Sequence, residues 1–236
     1  MDNSVTNTAR LLWAGLRTLL VLTAVTGVLY PLAVTGVAQG FFNDKANGSR
    51  IRVDGRVVGS SLIGQAYNLP LEEGQETPEP DLRWFQGRPQ NGLGTNSVNT
   101  RYELILSGAT NRSGDNGAVD GACPKDPAQA EEATLCRWVV AARAAVVKDN
   151  SVNGHTVEEV PADAVTSSGS GLDPHISPQY AGIQVHRVAE RNGLSVDQVQ
   201  ALVDGHTEGR VLGFVGEPRV NVLELNIALG QLVTRS

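Results

Sequence analysis

Cysteines and aromatic side chains are scarce in this chain of 236 residues, which has two cysteines and 5% Phe, Trp and Tyr. Cys123 and Cys136 lie thirteen apart, outside the spacing of a CxxC pair or a four-ligand zinc site, so no metal is expected. The usual marks of phosphoryl chemistry are missing too. None of Lys45, Lys125 and Lys148 follows a glycine, so there is no G-x-x-x-x-G-K-[ST] loop, and no Asp-Lys-Thr-Gly segment is present to be phosphorylated. Any chemistry of that kind would have to belong to another chain. No repeat of solenoid length occurs. Residues 42–236 hold 17 Lys/Arg against 24 Asp/Glu, a net of −7, which disfavours a nucleic-acid partner.

What is present is a long apolar run. Thr18 to Val37 spans 20 residues without an ionisable group, and at about 1.5 Å per residue it matches a hydrocarbon core of about 30 Å. The run reads as a transmembrane helix, residues 18–40, behind a short leader, residues 1–17. A cleaved secretory signal is the competing reading, since Arg10 and Arg17 precede the run and Gly36-Val37-Ala38 resembles a cleavage site. Signal cores are typically shorter, about 7–15 residues. A bare Lys/Arg count does not set the orientation, because Lys45, Arg50, Arg52 and Arg56 lie soon after the span that Arg10 and Arg17 precede. On the span, Thr23 and Gly27 are four apart and allow close approach of a partner helix, and Pro31 is expected to bend it.

The whole chain is 41% apolar and 19% charged, a globular composition, and residues 41–236 are expected to form the folded domain. Ile51–Val53 and Arg56–Val58 around Asp54-Gly55 predict a hairpin. Residues 68–82, with Pro70, Pro78 and Pro80, predict an exposed loop, and residues about 91–127, rich in Gly, Asn and Ser, a loop-rich insertion. Leu135, Val139, Ala142 and Val146 predict a helix over about 128–148 with that face buried. Ser177-Pro178 starts a second helix, which Gly193 stops, and Ser195 with Gln198 makes a capping box for a third. The alternation from Val220 to Asn226 predicts a strand at its start, with a phase slip between Val222 and Leu223 that a bulge or the end of a strand would allow. The fold class expected is α+β: one N-terminal transmembrane helix followed by a single mixed domain.

Ser170, Asp173 and His175 invite a comparison with hydrolases. The segment fails the G-x-S-x-G pattern, because Ser168 stands where the first glycine belongs. Three triad members within six residues are also hard to align for proton transfer. A turn-rich loop ended by the Ser177 cap is the simpler reading. Its backbone amides are approachable by an anion, which Asp173 would oppose. His155, His186 and His206 are scattered and have no partner at ligand spacing.

Several motifs, kept in order along most of the chain, carry a resemblance. They are Tyr30-Pro31, Ala46-Asn47-Gly48-Ser49, the stretch Gly59 to Gln65, and Phe85-Gln86-Gly87-Arg88-Pro89. The C-terminal third adds Val165 to Pro178, which includes Gly169, Ser170, Gly171, Leu172 and Asp173, then Gln184-Val185 with Arg187-Val188-Ala189, and Gly216 to Asn226. Together they resemble KdpC subunits of potassium-importing P-type ATPases. The departure lies between Asn91 and Leu135, where only Ser107-Gly108-Ala109-Thr110-Asn111 stands for the family's Ser-Gly-Gly-Ser-Asn-Leu-type segment.

The resemblance implies a non-enzymatic accessory subunit working with three partners: a channel-like potassium-conducting subunit, a P-type ATPase subunit and a small hydrophobic subunit. It implies a cytoplasmic N-terminus and an extracytoplasmic domain in the cell membrane. It also implies a catalytic chaperone that raises the pump's ATP affinity, with ATP and potassium acting in the complex and no cofactor of its own. With only about 17 residues facing the cytoplasm, coupling would run through the membrane subunits. Gln184 is the candidate for a ribose contact, its alternative being a packed helix residue. In the outside compartment Cys123 and Cys136 can pair, two buried free thiols being the alternative. The rival functions are a membrane-anchored hydrolase using Ser170 or His175 and a ligand-binding ectodomain.

Overall fold

The computed structural model describes residues 2–70, 73, 78–89, 118, 123–124, 126–129, 134–152 and 154–235. The chain divides into two compact units, Met1–Arg50 and Ile51–Ser236. Most of the predicted insertion, including Ser107 to Asn111, lies outside the described residues.

The first unit is helical: α1 (Asp2–Ala24), a π-helical turn (Val25–Leu29), α2 (Tyr30–Phe41) and a short α3 (Asn43–Ala46). Val5–Phe41 is long and apolar enough to cross a membrane, and its large apolar side chains are exposed. The π turn stands just ahead of Pro31, whose ring nitrogen has no hydrogen to give to the helical ladder. There the Tyr30 N–H donates to Val25 O, five residues back. Thr26 Oγ1 donates to Leu22 O at 2.6 Å. At the far end, Gln39 Oε1 accepts from Asn43 and Asn47 side-chain amides at 3.0 and 3.1 Å, tying α2 to α3.

The second unit opens with the hairpin β1 (Arg50–Val53) and β2 (Arg56–Ser60). Asp54 and Gly55 both take positive φ, 49° and 79°, as a tight primed turn demands. The 68–82 loop is closed at its base by a bridge between Asn68 and Pro80, and Asp81 beside it is buried.

α4 (Leu135–Asn150) starts later than the sequence suggested, at an N-cap where Thr134 accepts from the Arg137 N–H. Its buried positions are Cys136, Val140 and Asn150, while Leu135 is exposed, so the predicted face is turned by about one residue. The reason is long-range: Cys136 is bonded to Cys123 and Asn150 is drawn inward to Arg187 at 2.8 Å.

α5 (Pro178–Asn192) and α6 (Val196–Gly205) form as the caps predict. Ser177 accepts from Tyr180 N–H, and the Ser195–Gln198 box closes in both directions. β3 (His175–Ile176), β4 (Thr207–Glu208) and β5 (Arg219–Asn221) make an antiparallel sheet in the order β3-β5-β4, with Val220 opposite both Ile176 and Thr207.

Directly after β5, α7 (Val222–Val233) begins, so of the two readings of the phase slip, a bulge or the end of the strand, the strand's end is the one found. Asn221 causes the change, because its side-chain oxygen accepts from Leu223 and Glu224 N–H at 3.1 and 3.2 Å. The core gathers Val185, Val188 and Ala189 of α5, Val199 and Val203 of α6, and Leu225 and Leu229 of α7 around Phe85 and Tyr67.

Candidate functional site

The domain's most unusual feature is the segment Leu82 to Gln86, which leaves a turn closed by Trp84 N–H to Asp81 O at 3.1 Å and is neither helix nor strand, its backbone held by side chains rather than by a neighbouring strand. Buried backbone groups need partners, and here helices supply them. Asn226 of α7 accepts from Phe85 N–H at 2.9 Å and donates to Phe85 O at 2.9 Å. Gln184 of α5 does the same one residue on, accepting from Gln86 N–H at 2.7 Å and donating to Gln86 O at 3.1 Å. Asn192, at the end of α5, donates to Arg83 O at 2.8 Å.

Arg187 completes the strap. It is 1% exposed, and it donates to Leu82 O, to Trp84 O at 3.0 Å, to Asn150 Oδ1 at 2.8 Å and to Gln184 Oε1 at 2.7 Å. Among the described residues none of these partners is a carboxylate. Burial pushes the guanidinium down to about 10, an effect that Tyr180, Asp149 and Asp81 partly offset, and the carbonyl oxygens it donates to replace the water it has lost. The sequence placed Arg187 in the body of a helix without marking its burial. Its one legible signal is a spacing of three from Gln184, which puts both polar side chains on one helix face.

The motif loop lies beside the strap. Arg88 reaches across to Thr166 O and Ser167 O at 3.3 and 3.1 Å and stands 3.6 Å from Asp173. Asp173 Oδ1 accepts from His175 N–H at 3.0 Å and lies 3.2 Å from His175 Nδ1. The His175 side chain holds the Asp173 carboxyl below its usual range, against burial that pushes it up. Ser170 Oγ accepts from Leu172 N–H at 3.1 Å and lies 3.4 Å from Ser168 Oγ. An Asp–His pair therefore exists, and both serines serve turns of the loop. Gly64 N–H donates to Leu172 O at 2.7 Å and Val222 N–H to Pro174 O at 3.0 Å, which bind Gly171 and its neighbours into the fold.

Gln184 is 0% exposed. Its oxygen is shared between Gln86 N–H and Arg187, and its nitrogen between Gln86 O and Tyr180 O. On the first unit, Thr23 and Gly27 lie on one face, a Cβ at Gly27 meeting Thr23 Cγ2 at 3.9 Å. His155 and His186, scattered in sequence, stack at 3.8 Å between ring centres. Among the described residues no three His, Cys, Asp or Glu gather as metal ligands.

Fold and site define a class: a mixed α/β domain carried behind one N-terminal helix able to cross a membrane. The family described as K+-transporting ATPase, c chain matches residues 12–231. A protein of Streptomyces avermitilis named potassium-transporting ATPase KdpC subunit is 73% identical over all of both chains. A protein of the same name from Streptomyces coelicolor is 70% identical over 99% of this chain and 97% of its own. One from Mycobacterium tuberculosis is 40% identical over 94% of this chain and 99% of its own. The chain belongs to the KdpC family of K+-transporting ATPase subunits.

Proposed function

We propose that the chain is a non-catalytic accessory subunit that stabilises the potassium-importing complex and raises the ATP affinity of its pump chain indirectly. Residues 1–17 face the cytoplasm, 18–40 span the cell membrane, and 41–236 form the extracytoplasmic domain. The partners are the channel-like potassium-conducting chain, the P-type ATPase chain and the small hydrophobic chain. The span meets partner helices through Thr23, Gly27 and Pro31.

The observation that carries the reading is the state of Gln184. Its amide is fully buried and engaged by Gln86, Tyr180 and Arg187, so it offers no ribose hydroxyl a hydrogen bond without breaking the strap. Indirect coupling needs only a preference for the pump's ATP-ready state. A preference of about 1.4 kcal/mol changes nucleotide affinity about tenfold in a linked equilibrium.

The test is the ATP affinity of the pump with the subunit, without it, with Gln184→Ala, and with a variant lacking residues 1–40. The expectation is tighter ATP binding only when the anchored subunit is assembled. Tight ATP binding by the soluble domain alone, abolished by Gln184→Ala, would overturn the indirect account.

A further inference from the structure

The connection between β4 and β5 is a projecting apolar tip. Val211 and Val215 pair across it through two backbone hydrogen bonds of 2.9 Å, Val211 N–H to Val215 O and Val215 N–H to Val211 O. Between them Leu212 is 81% and Phe214 75% exposed. Soluble surfaces seldom hold out adjoining large apolar side chains in this way.

The tip also has a fixed and strained shape. Leu212, a residue with a Cβ, takes φ 55°, and Gly213 and Gly216 both take φ 82°. Left-handed backbone at a residue such as Leu persists only where the surroundings enforce it, and it clusters at functional sites. The base of the hairpin is braced by ion pairs, Arg210 to Glu217 at 2.6 Å and Arg219 to Glu208 at 2.9 Å.

We propose that this tip, centred on Leu212 and Phe214, docks into an apolar pocket on another protein chain of the potassium-transporting ATPase. The inference rests on the subunit reading above. Two observations favour a protein pocket over lipid. A fluid bilayer gains nothing from a pre-shaped tip, whereas a shaped pocket binds a pre-ordered one more tightly because less ordering remains to be done. Charge points the same way. Both arginines of the hairpin are already matched by glutamates, and residues 42–236 carry a net of −7, so the domain offers anionic headgroups no free cationic patch at this point.

The test uses the full complex purified with its membrane subunits, with Phe214→p-benzoylphenylalanine as a photo-crosslinker and mass spectrometry to identify what it captures. Capture of another chain of the ATPase is the expected result. Capture of lipid, capture of a second copy of this chain, or no capture in an assembled complex would each overturn the proposal. In parallel, Leu212→Asp with Phe214→Asp is expected to lower recovery of partner chains about tenfold while the unfolding midpoint of the subunit stays unchanged. Unchanged recovery would also overturn it. Failure of the unaltered chain to co-purify with partners would instead remove the subunit reading itself.

Discussion

The side-chain amide of Asn226 pairs with both backbone polar groups of Phe85, and that of Gln184 pairs with both backbone polar groups of Gln86. Each amide offers a donor and an acceptor together, as a neighbouring strand would, to a segment that pairs with no strand among the described residues. The equivalence leads to a first prediction. Gln184→Ala and Asn226→Ala should each lower stability by about 2–4 kcal/mol, because each strands a buried N–H and C=O. Denaturant unfolding of the detergent-solubilised chain measures this. If Gln184→Ala left stability intact and changed only nucleotide response, the strap would not be the role of Gln184.

The span supplies a second prediction. A side chain at Gly27 meets only Thr23 Cγ2 at ordinary contact distance within its own chain, so Gly27→Leu leaves the helix itself undisturbed. We expect co-purification of partner chains to fall about tenfold through lost close packing. Gly36→Leu, the same change at another open glycine of the helix, is the control. Equal losses at both positions would point to added bulk in the span and away from a particular face.

Cys123 and Cys136 are joined in the structure, thirteen residues apart. Mass measurement after alkylation, with and without prior reduction, should find no alkylatable thiol until a reductant is added. Reduction is expected to cost roughly 3 kcal/mol, the stabilisation a loop of this length gives through the unfolded state. Two thiols reacting in the unreduced protein would exclude the pairing.

Tyr67 gives a prediction in pH. Among the described residues its buried hydroxyl has no hydrogen-bond partner, and burial pushes the phenol up to about 12, an effect the Asn226 side chain partly offsets. The folded pKa lies above the unfolded value of 10.0, so this contribution is complete below pH 10.0 and is lost as pH rises towards about 12. Tyr67→Phe removes an unsatisfied group and should be neutral or stabilising by up to about 1 kcal/mol near neutral pH. It should also make the alkaline loss shallower, leaving the part due to Tyr180, which burial raises in the same direction. A steeper alkaline loss in the variant would contradict the assignment.

Local signals were legible and distant ones were not. Asp54-Gly55 announced the hairpin, and Ser177, Ser195 and Gln198 announced two helix starts, because turns and caps are settled within about four residues. Asn221 could have announced α7, but its capping role competes with a strand-like alternation that continues past it. The buried face of α4 was misread because Cys136 and Asn150 are placed by partners elsewhere in the chain. The strap left almost no local mark. Gln184, Arg187 and Asn226 are ordinary polar residues of amphipathic helices until the segment they hold, 98 to 141 residues earlier, is in place.

That separation dictates an order of events during biogenesis. Leu82 to Gln86 emerge early from the ribosome, but the groups that seat them reside on α5 and α7, at the trailing end of the polypeptide. Until Asn226 has been synthesised, Phe85 lacks its partner, and closing so long a loop is slow compared with forming a helix. On the proposed topology, the N-terminal helix is inserted into the membrane while the remainder is still an unfinished chain. A product truncated before α7 would leave Phe85 without the amide that seats it, and such a fragment should be recognised as unfolded by cellular proteases.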